Sequence, residues 1–83
     1  MQIESLQVFC DLVETASFSG AAERNRLTQS AVSQKVRALE CHYGMVMVER
    51  GAGRPFRLTA EGQMFYDSCR ELLAIYEAIP SRL

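Results

Sequence analysis

Apolar residues recur along the chain at steps of three and four, and where they do so the pattern predicts helices separated by short polar breaks. Ile3, Leu6, Phe9, Cys10 and Val13 form one stripe with Glu4, Gln7, Asp11 and Glu14 off it, so an amphipathic helix is expected from Ile3 to about Ala16. Ser17-Phe18-Ser19-Gly20 interrupts that stripe, and Ser19 is placed to cap a second, short helix through Ala21, Ala22, Glu23 and Arg24 to about Arg26. The paired alanines would let another helix approach closely. Leu27 and Thr28 leave room only for a sharp turn, with Thr28 a natural N-cap for a third helix. In that third stretch Val32, Val36, Leu39 and Tyr43 share one helical face, and Gly44 stands where a left-handed cap would end the helix.

The period then changes. Val46 to Arg50 reads as a strand, Gly51-Ala52-Gly53-Arg54-Pro55 as a turn, and Phe56 to Leu58 as the returning strand, which together make a two-stranded wing. Thr59 is placed to cap a last helix whose first turn holds Glu61, as the helix dipole favours. Its apolar residues Phe65, Cys69, Leu72, Tyr76 and Ile79 step by four, three, four and three, with Leu73 widening the stripe. A repeat of about 3.5 residues suits a helix packed along another helix, so its outer half reads as a dimer seam. A core helix with one broad apolar face would show the same spacing, and two heptads are fewer than a sustained coiled coil needs.

Composition narrows the class. At 83 residues the chain is expected to form one compact domain, and 48% apolar with 23% charged residues argues against disorder. No apolar run approaches the roughly 18 residues that span a bilayer. The N-terminus carries acids where a signal peptide would carry bases, so a cytoplasmic protein is expected. Cys10, Cys41 and Cys69 are odd in number and widely spaced, which points to reduced thiols; Cys41 and His42 have no Cys-x-x-Cys or paired-histidine partner for a zinc site. Cys10 and Cys69 read as small core fillers.

The net charge of -1 alone speaks against a polyanionic partner, but its distribution does not. Residues 21–60 hold seven bases (Arg24, Arg26, Lys35, Arg37, Arg50, Arg54, Arg57) against three acids (Glu23, Glu40, Glu49), a local net of +4 between acidic ends. A basic middle is the electrostatic footprint that phosphate binding needs. Two helices joined by a sharp turn make a helix-turn-helix, which sets the start of its second helix against base edges in a major groove. The opposite face and the first turns of that helix carry Gln29, Ser30, Ser33, Gln34 and Arg37, short or planar hydrogen-bonding groups with little acid among them. A solvated helix face would read the same. Arg54, on a Gly-rich tip, is either a solvated loop charge or a base able to enter a narrow, A·T-rich minor groove.

Other chemistries find little support. There is no Gly-x-Ser-x-Gly, phosphate loop or metal cluster, and His42, the only histidine, sits beside no nucleophile, so no enzyme is expected. His42 is placed to interact with the last carbonyls of its helix. Cys41, on the polar side of the third helix, would make binding redox-sensitive only if its thiol pKa were lowered. A protein-interaction module using the polar face of the third helix is the alternative to a nucleic-acid reader, because fold alone does not fix function.

Ser17-Phe18-Ser19-Gly20-Ala21-Ala22-Glu23-Arg24, Thr28 through Glu40, Glu49-Arg50 and Arg57-Leu58-Thr59-x-x-Gly62 occur in an order and spacing that resembles the N-terminal domain of LysR-type transcriptional regulators, bacterial DNA-binding proteins. The likeness spans nearly the whole chain. It implies a mainly α fold: a winged helix-turn-helix of three helices plus a two-stranded β wing over residues 1–59, then a long linker and dimerisation helix over 60–83. It implies that Gln29, Ser30, Ser33 and Gln34 face bases in the major groove, Thr28 and Arg37 the phosphates, and Arg54 the minor groove. The implied partners are double-stranded DNA, at an interrupted inverted repeat, and a second copy of the chain through Phe65, Cys69, Leu72, Leu73, Tyr76 and Ile79. A tetramer of the full-length protein is compatible with this. No cofactor is implied for this domain; a small-molecule inducer is expected for a larger C-terminal domain, which makes this chain a piece of a longer regulator. The sequence departs from the family pattern at Asn25, where leucine is usual, at Met47-Val48 for Leu-Phe, at Cys41-His42-Tyr43 for a more acidic helix end, and at Ser30 for proline. Gln34 stands where arginine is frequent, which favours adenine over guanine by the bidentate geometry of an amide.

Overall fold

The computed structural model describes residues 2–51 and 56–82. The order of elements is α1 (Ile3–Thr15), α2 (Phe18–Asn25), α3 (Gln29–Tyr43), β1 (Val48–Glu49), β2 (Arg57–Leu58) and α4 (Ala60–Arg82). Helices α1, α2 and α3 pack on one another, the two strands form an antiparallel ribbon, and α4 returns along α1. In the ribbon Val48 pairs with Leu58 and Glu49 with Arg57. The mainly α winged helix-turn-helix architecture is as expected, with strands shorter than the sequence suggests.

The turns have clear local causes. Ala16 and Arg26 adopt left-handed backbone at φ 53° and 55°, which ends α1 and α2 within one residue and lets the chain reverse sharply. Gly44, at φ 66°, ends α3, and its amide bonds back to the carbonyls of Glu40 and Cys41. Thr28 Oγ1 accepts from the Ala31 amide at 3.0 Å, and Thr59 Oγ1 from the Gly62 amide at 2.9 Å; each such cap is worth about 1 kcal/mol. The cap of α2 differs from the expected one. Ser17 Oγ, not Ser19, accepts from the Gly20 amide at 3.0 Å, and α2 therefore begins at Phe18. Ser19 lies within the first turn, its hydroxyl 2.9 Å from that of Ser17.

Phe9, Leu12, Val32, Val36 and Met47 are fully buried at the centre of the core, each contributing about 1.5–3 kcal/mol of apolar burial. Phe65 of α4 closes one side. Its ring lies 5.1 Å from that of Phe9, edge-on, and 5.1 Å from that of Tyr43. Cys10 and Cys69 are both free and buried, in keeping with their reading as small core residues. Their thiols share a hydrogen bond, which together with burial pushes Cys10 well above the ordinary thiol range.

One correction concerns α4. The repeat assigns Phe65, Cys69 and Leu73 to a dimer seam, but they are buried against this chain's own core, so their contribution there is already made. The stripe splits along its length. Leu72, Tyr76 and Ile79 are exposed, and Met64 and Ile75 join them.

Polar contacts tie the helices where apolar packing ends. Asp11 on α1 is buried, and its carboxylate accepts from Asn25 Nδ2 at 2.9 Å and from Arg24 Nη1 at 3.2 Å, both on α2. Glu14, one turn on, takes Arg24 at 3.2 Å and, from α4, the Tyr66 hydroxyl at 3.1 Å and Arg70 at 3.3 Å. Asn25 thus ties the end of α2 to a buried acid by a hydrogen bond.

Candidate nucleic-acid interface

The first turns of α3 carry the residues that the sequence singles out. Gln29, Ser30 and Gln34 are exposed and Ser33 is half-buried; Ser30 and Gln34 lie opposite Val32, Val36 and Leu39, Ser33 flanks that face, and Gln29 is exposed because it opens the helix. No acid lies in that first turn. The free amides of a helix start and its dipole therefore face outward without a competing carboxylate, which suits phosphate. Thr28 Oγ1 is engaged as an acceptor by the cap, and its hydroxyl proton remains for an outside acceptor. Arg37 is exposed, and among the described residues no carboxylate pairs with it.

Gln29, Ser30 and Ser33 form one wall of an open cleft of about 570 Å³. The α1–α2 turn closes one end with Ala16, Ser17 and Phe18, and the base of the wing supplies Glu49, Arg50, Gly51 and Phe56. Gln34 is not among the lining residues. Arg54 lies outside the described residues, as does the rest of the tip from 52 to 55.

Among the described residues, two of the bases in the middle of the chain, Arg24 and Arg50, are neutralised internally. Arg24 is held by Asp11 and Glu14, which raise its pKa. Arg50 is held by Glu40, Nη1 to Oε1 at 2.7 Å. The other oxygen of Glu40 accepts from the amides of Met47 at 2.8 Å and Val48 at 3.2 Å. Burial works against the Glu40 charge, but Arg50 and the two amides outweigh it and leave the carboxyl pKa below its ordinary value. Reading α3 by apolar period misses this carboxylate, which ties the reading helix to the wing; the Arg50 partner lies ten residues on, at the end of the first wing strand.

Cys41 and His42 are exposed at the far end of α3, away from the cleft. Cys41 is a free thiol. The ring of His42 packs edge-on to Tyr43 at 4.8 Å, and the Glu40 and Cys41 carbonyls are taken by the amides of Met45 and Gly44.

Residues 3–63 match the model of the bacterial regulatory helix-turn-helix protein, lysR family. The HTH-type transcriptional regulator TfdT of Cupriavidus pinatubonensis is 36% identical over 77 residues, covering 93% of this chain and 33% of that protein. BenM of Acinetobacter baylyi is 35% identical over 74 residues, covering 89% of this chain and 24% of that regulator. The chain therefore spans a third or less of the length of these relatives. Among solved structures, the BenM DBD in its complex with catB site 1 DNA superposes with a TM-score of 0.91 at 33% identity, covering 99% of this chain and 90% of that one. The CbnR DBD in complex with DNA gives 0.90 at 29% identity, with 99% and 93% covered. Family match, relatives and fold agree: the chain belongs to the lysR family of bacterial regulatory helix-turn-helix proteins.

Proposed function

We propose that this chain is the module with which a bacterial transcriptional regulator recognises double-stranded DNA by sequence. The observation that carries the reading is the start of α3, where Gln29, Ser30, Ser33 and Gln34 project from an acid-free helix terminus beside a cleft. The BenM and CbnR domains, so similar in fold, are seen in complexes with DNA. Side chains on the reading face set sequence, while Thr28, Arg37 and the helix amides set position on the phosphates. Arg54 on the wing is assigned to the minor groove.

Recognition uses two copies. Leu72, Ile75, Tyr76 and Ile79 leave an exposed apolar strip on the outer half of α4 that this chain does not cover, and a second α4 fits it by the same period. Two reading helices then address an interrupted inverted repeat. The longer regulator is assigned to the cytoplasm, with a small-molecule inducer bound by its C-terminal domain. No described helix is long and apolar enough to cross a membrane.

Selection of bound duplexes from a random pool tests the function, and an interrupted inverted repeat is the expected product. On that duplex Gln29→Ala should cost about 1–3 kcal/mol, and much less on random DNA. Equal losses on both would remove Gln29 from base reading. A protein-interaction module would lack the steep fall in duplex affinity with salt that counterion release produces.

A further inference from the structure

Among the described residues that line the cleft Arg50 is the only base, and it is held still. Its side chain is 27% exposed and that of Glu40 12% exposed, so the pair is mostly withdrawn from water while the arginine still borders open space. Glu40 is saturated on its far oxygen by the Met47 and Val48 amides, which fixes the carboxylate to the start of β1. A guanidinium has five N–H donors in one plane, and the bond from Nη1 uses one of them. Opposite stand Gln29, Ser30 and Ser33, whose short hydrogen-bonding groups make the facing wall.

A cation locked by a carboxylate loses little freedom on meeting an anion, and a planar fork can serve a carboxylate and a phosphate from different edges. Resting on the DNA-binding reading, we propose that the cleft receives the backbone of one DNA strand, with Arg50 donating to a phosphate oxygen and Glu40 acting as the positioning residue that aims it. Glu40 also explains how the wing base keeps its distance from the reading helix. The two walls of the cleft are joined by its three hydrogen bonds, from Met47, Val48 and Arg50.

The test is a scan of the selected duplex with single neutral methylphosphonates, read by the affinity of the 83-residue chain. Wild type should lose about tenfold at one phosphate, the worth of a charged hydrogen bond, and Arg50→Gln should be nearly indifferent to that replacement. On intact DNA, Arg50→Gln should also flatten the slope of log affinity against log salt by about 0.9, the loss of one phosphate contact. Glu40→Gln keeps an oxygen for the two amides and keeps the Arg50 charge. It should weaken binding several-fold, retain the wild-type salt slope, and blunt the effect of the same methylphosphonate. A scan in which wild type and Arg50→Gln lose equally at every phosphate overturns the proposal, as does Glu40→Gln with a wild-type scan. If Arg50→Gln does not fold, Arg50→Lys and Glu40→Gln decide by the same scan. A wild-type chain with no salt-dependent duplex affinity would defeat the DNA-binding reading itself, a result separate from the others.

Discussion

Gly62 offers a sharp test of how α4 is seated. A Cβ at this position would overlap the Met47 carbonyl oxygen outright, approach the Met47 carbonyl carbon to 2.9 Å and the Leu58 Cδ2 to 3.1 Å. Met47 is fully buried and its carbonyl also accepts the Thr59 amide at 3.0 Å, so the oxygen cannot swing away without losing that bond. Gly62→Ala must therefore push the first turn of α4 off the wing. Overpacking of this kind costs about 1–3 kcal/mol. The shift also strains the Thr59 cap, worth about 1 kcal/mol. Against this, alanine in place of glycine gains up to about 1 kcal/mol of helix propensity. A net loss of about 2 kcal/mol is expected, which for a domain this small lowers the melting temperature by about 8–16 °C. Thermal unfolding followed by circular dichroism measures it, with urea unfolding as a second route to the same free energy. A Gly62→Ala chain as stable as wild type or more so would refute the close approach, because propensity alone predicts a gain.

Asn25→Leu removes the 2.9 Å hydrogen bond to buried Asp11; a loss of about 1–2 kcal/mol in urea unfolding is expected, and a gain in stability would show that the bond is dispensable. Because the Glu40 pKa is depressed in the folded chain, its stabilisation is present above the ordinary glutamate pKa and is lost as pH falls through the lower folded value. Glu40→Gln should therefore cost stability at neutral pH and flatten the acid side of the stability profile, whereas a parallel profile would mean that Glu40 does not titrate with folding. Leu72→Lys together with Tyr76→Lys should leave the melting temperature of dilute chain near wild type, since both side chains are exposed, while shifting sedimentation from dimer to monomer. Unchanged sedimentation would place any dimer contact elsewhere.

Helices were legible in the sequence where a single face repeats, and caps where one hydroxyl meets one available amide. Ile3–Thr15 and Gln29–Tyr43 follow from their stripes, with Thr28, Gly44 and Thr59 as their punctuation or that of the next element. The start of α2 was not, because Ser17 and Ser19 are chemically equal and only the position of Phe18 decides between them. The α4 stripe was legible as apolar but not by owner. A spacing of three and four serves equally against α1 of the same chain and against a partner, and only the contact of Phe65 with Phe9, far apart in the chain, tells them apart. The polar ties escaped for a related reason. Asp11 to Asn25 and Glu40 to Arg50 join different elements, and a charge off the apolar stripe looks solvated until its neighbour is known. The reading face of α3 was visible as polar residues on a helix start; the cleft beside it, which needs the α1–α2 turn and the wing base together, was not.

Thr59 has a double engagement, its hydroxyl donating to the Val46 carbonyl at 2.6 Å while accepting the Gly62 amide at 2.9 Å. This makes the base of α4 a fixed pivot on the wing. The 23 residues of α4 then form a lever, about 34 Å long at 1.5 Å per residue. A tilt of about 5° at the pivot would carry its far end by about 3 Å, given that length. In the proposed dimer the far ends meet, so small repacking around Met47, Leu58 and Gly62 would be magnified into the separation of the two reading helices. Half-site spacing would then be tuned by the packing at the base of α4.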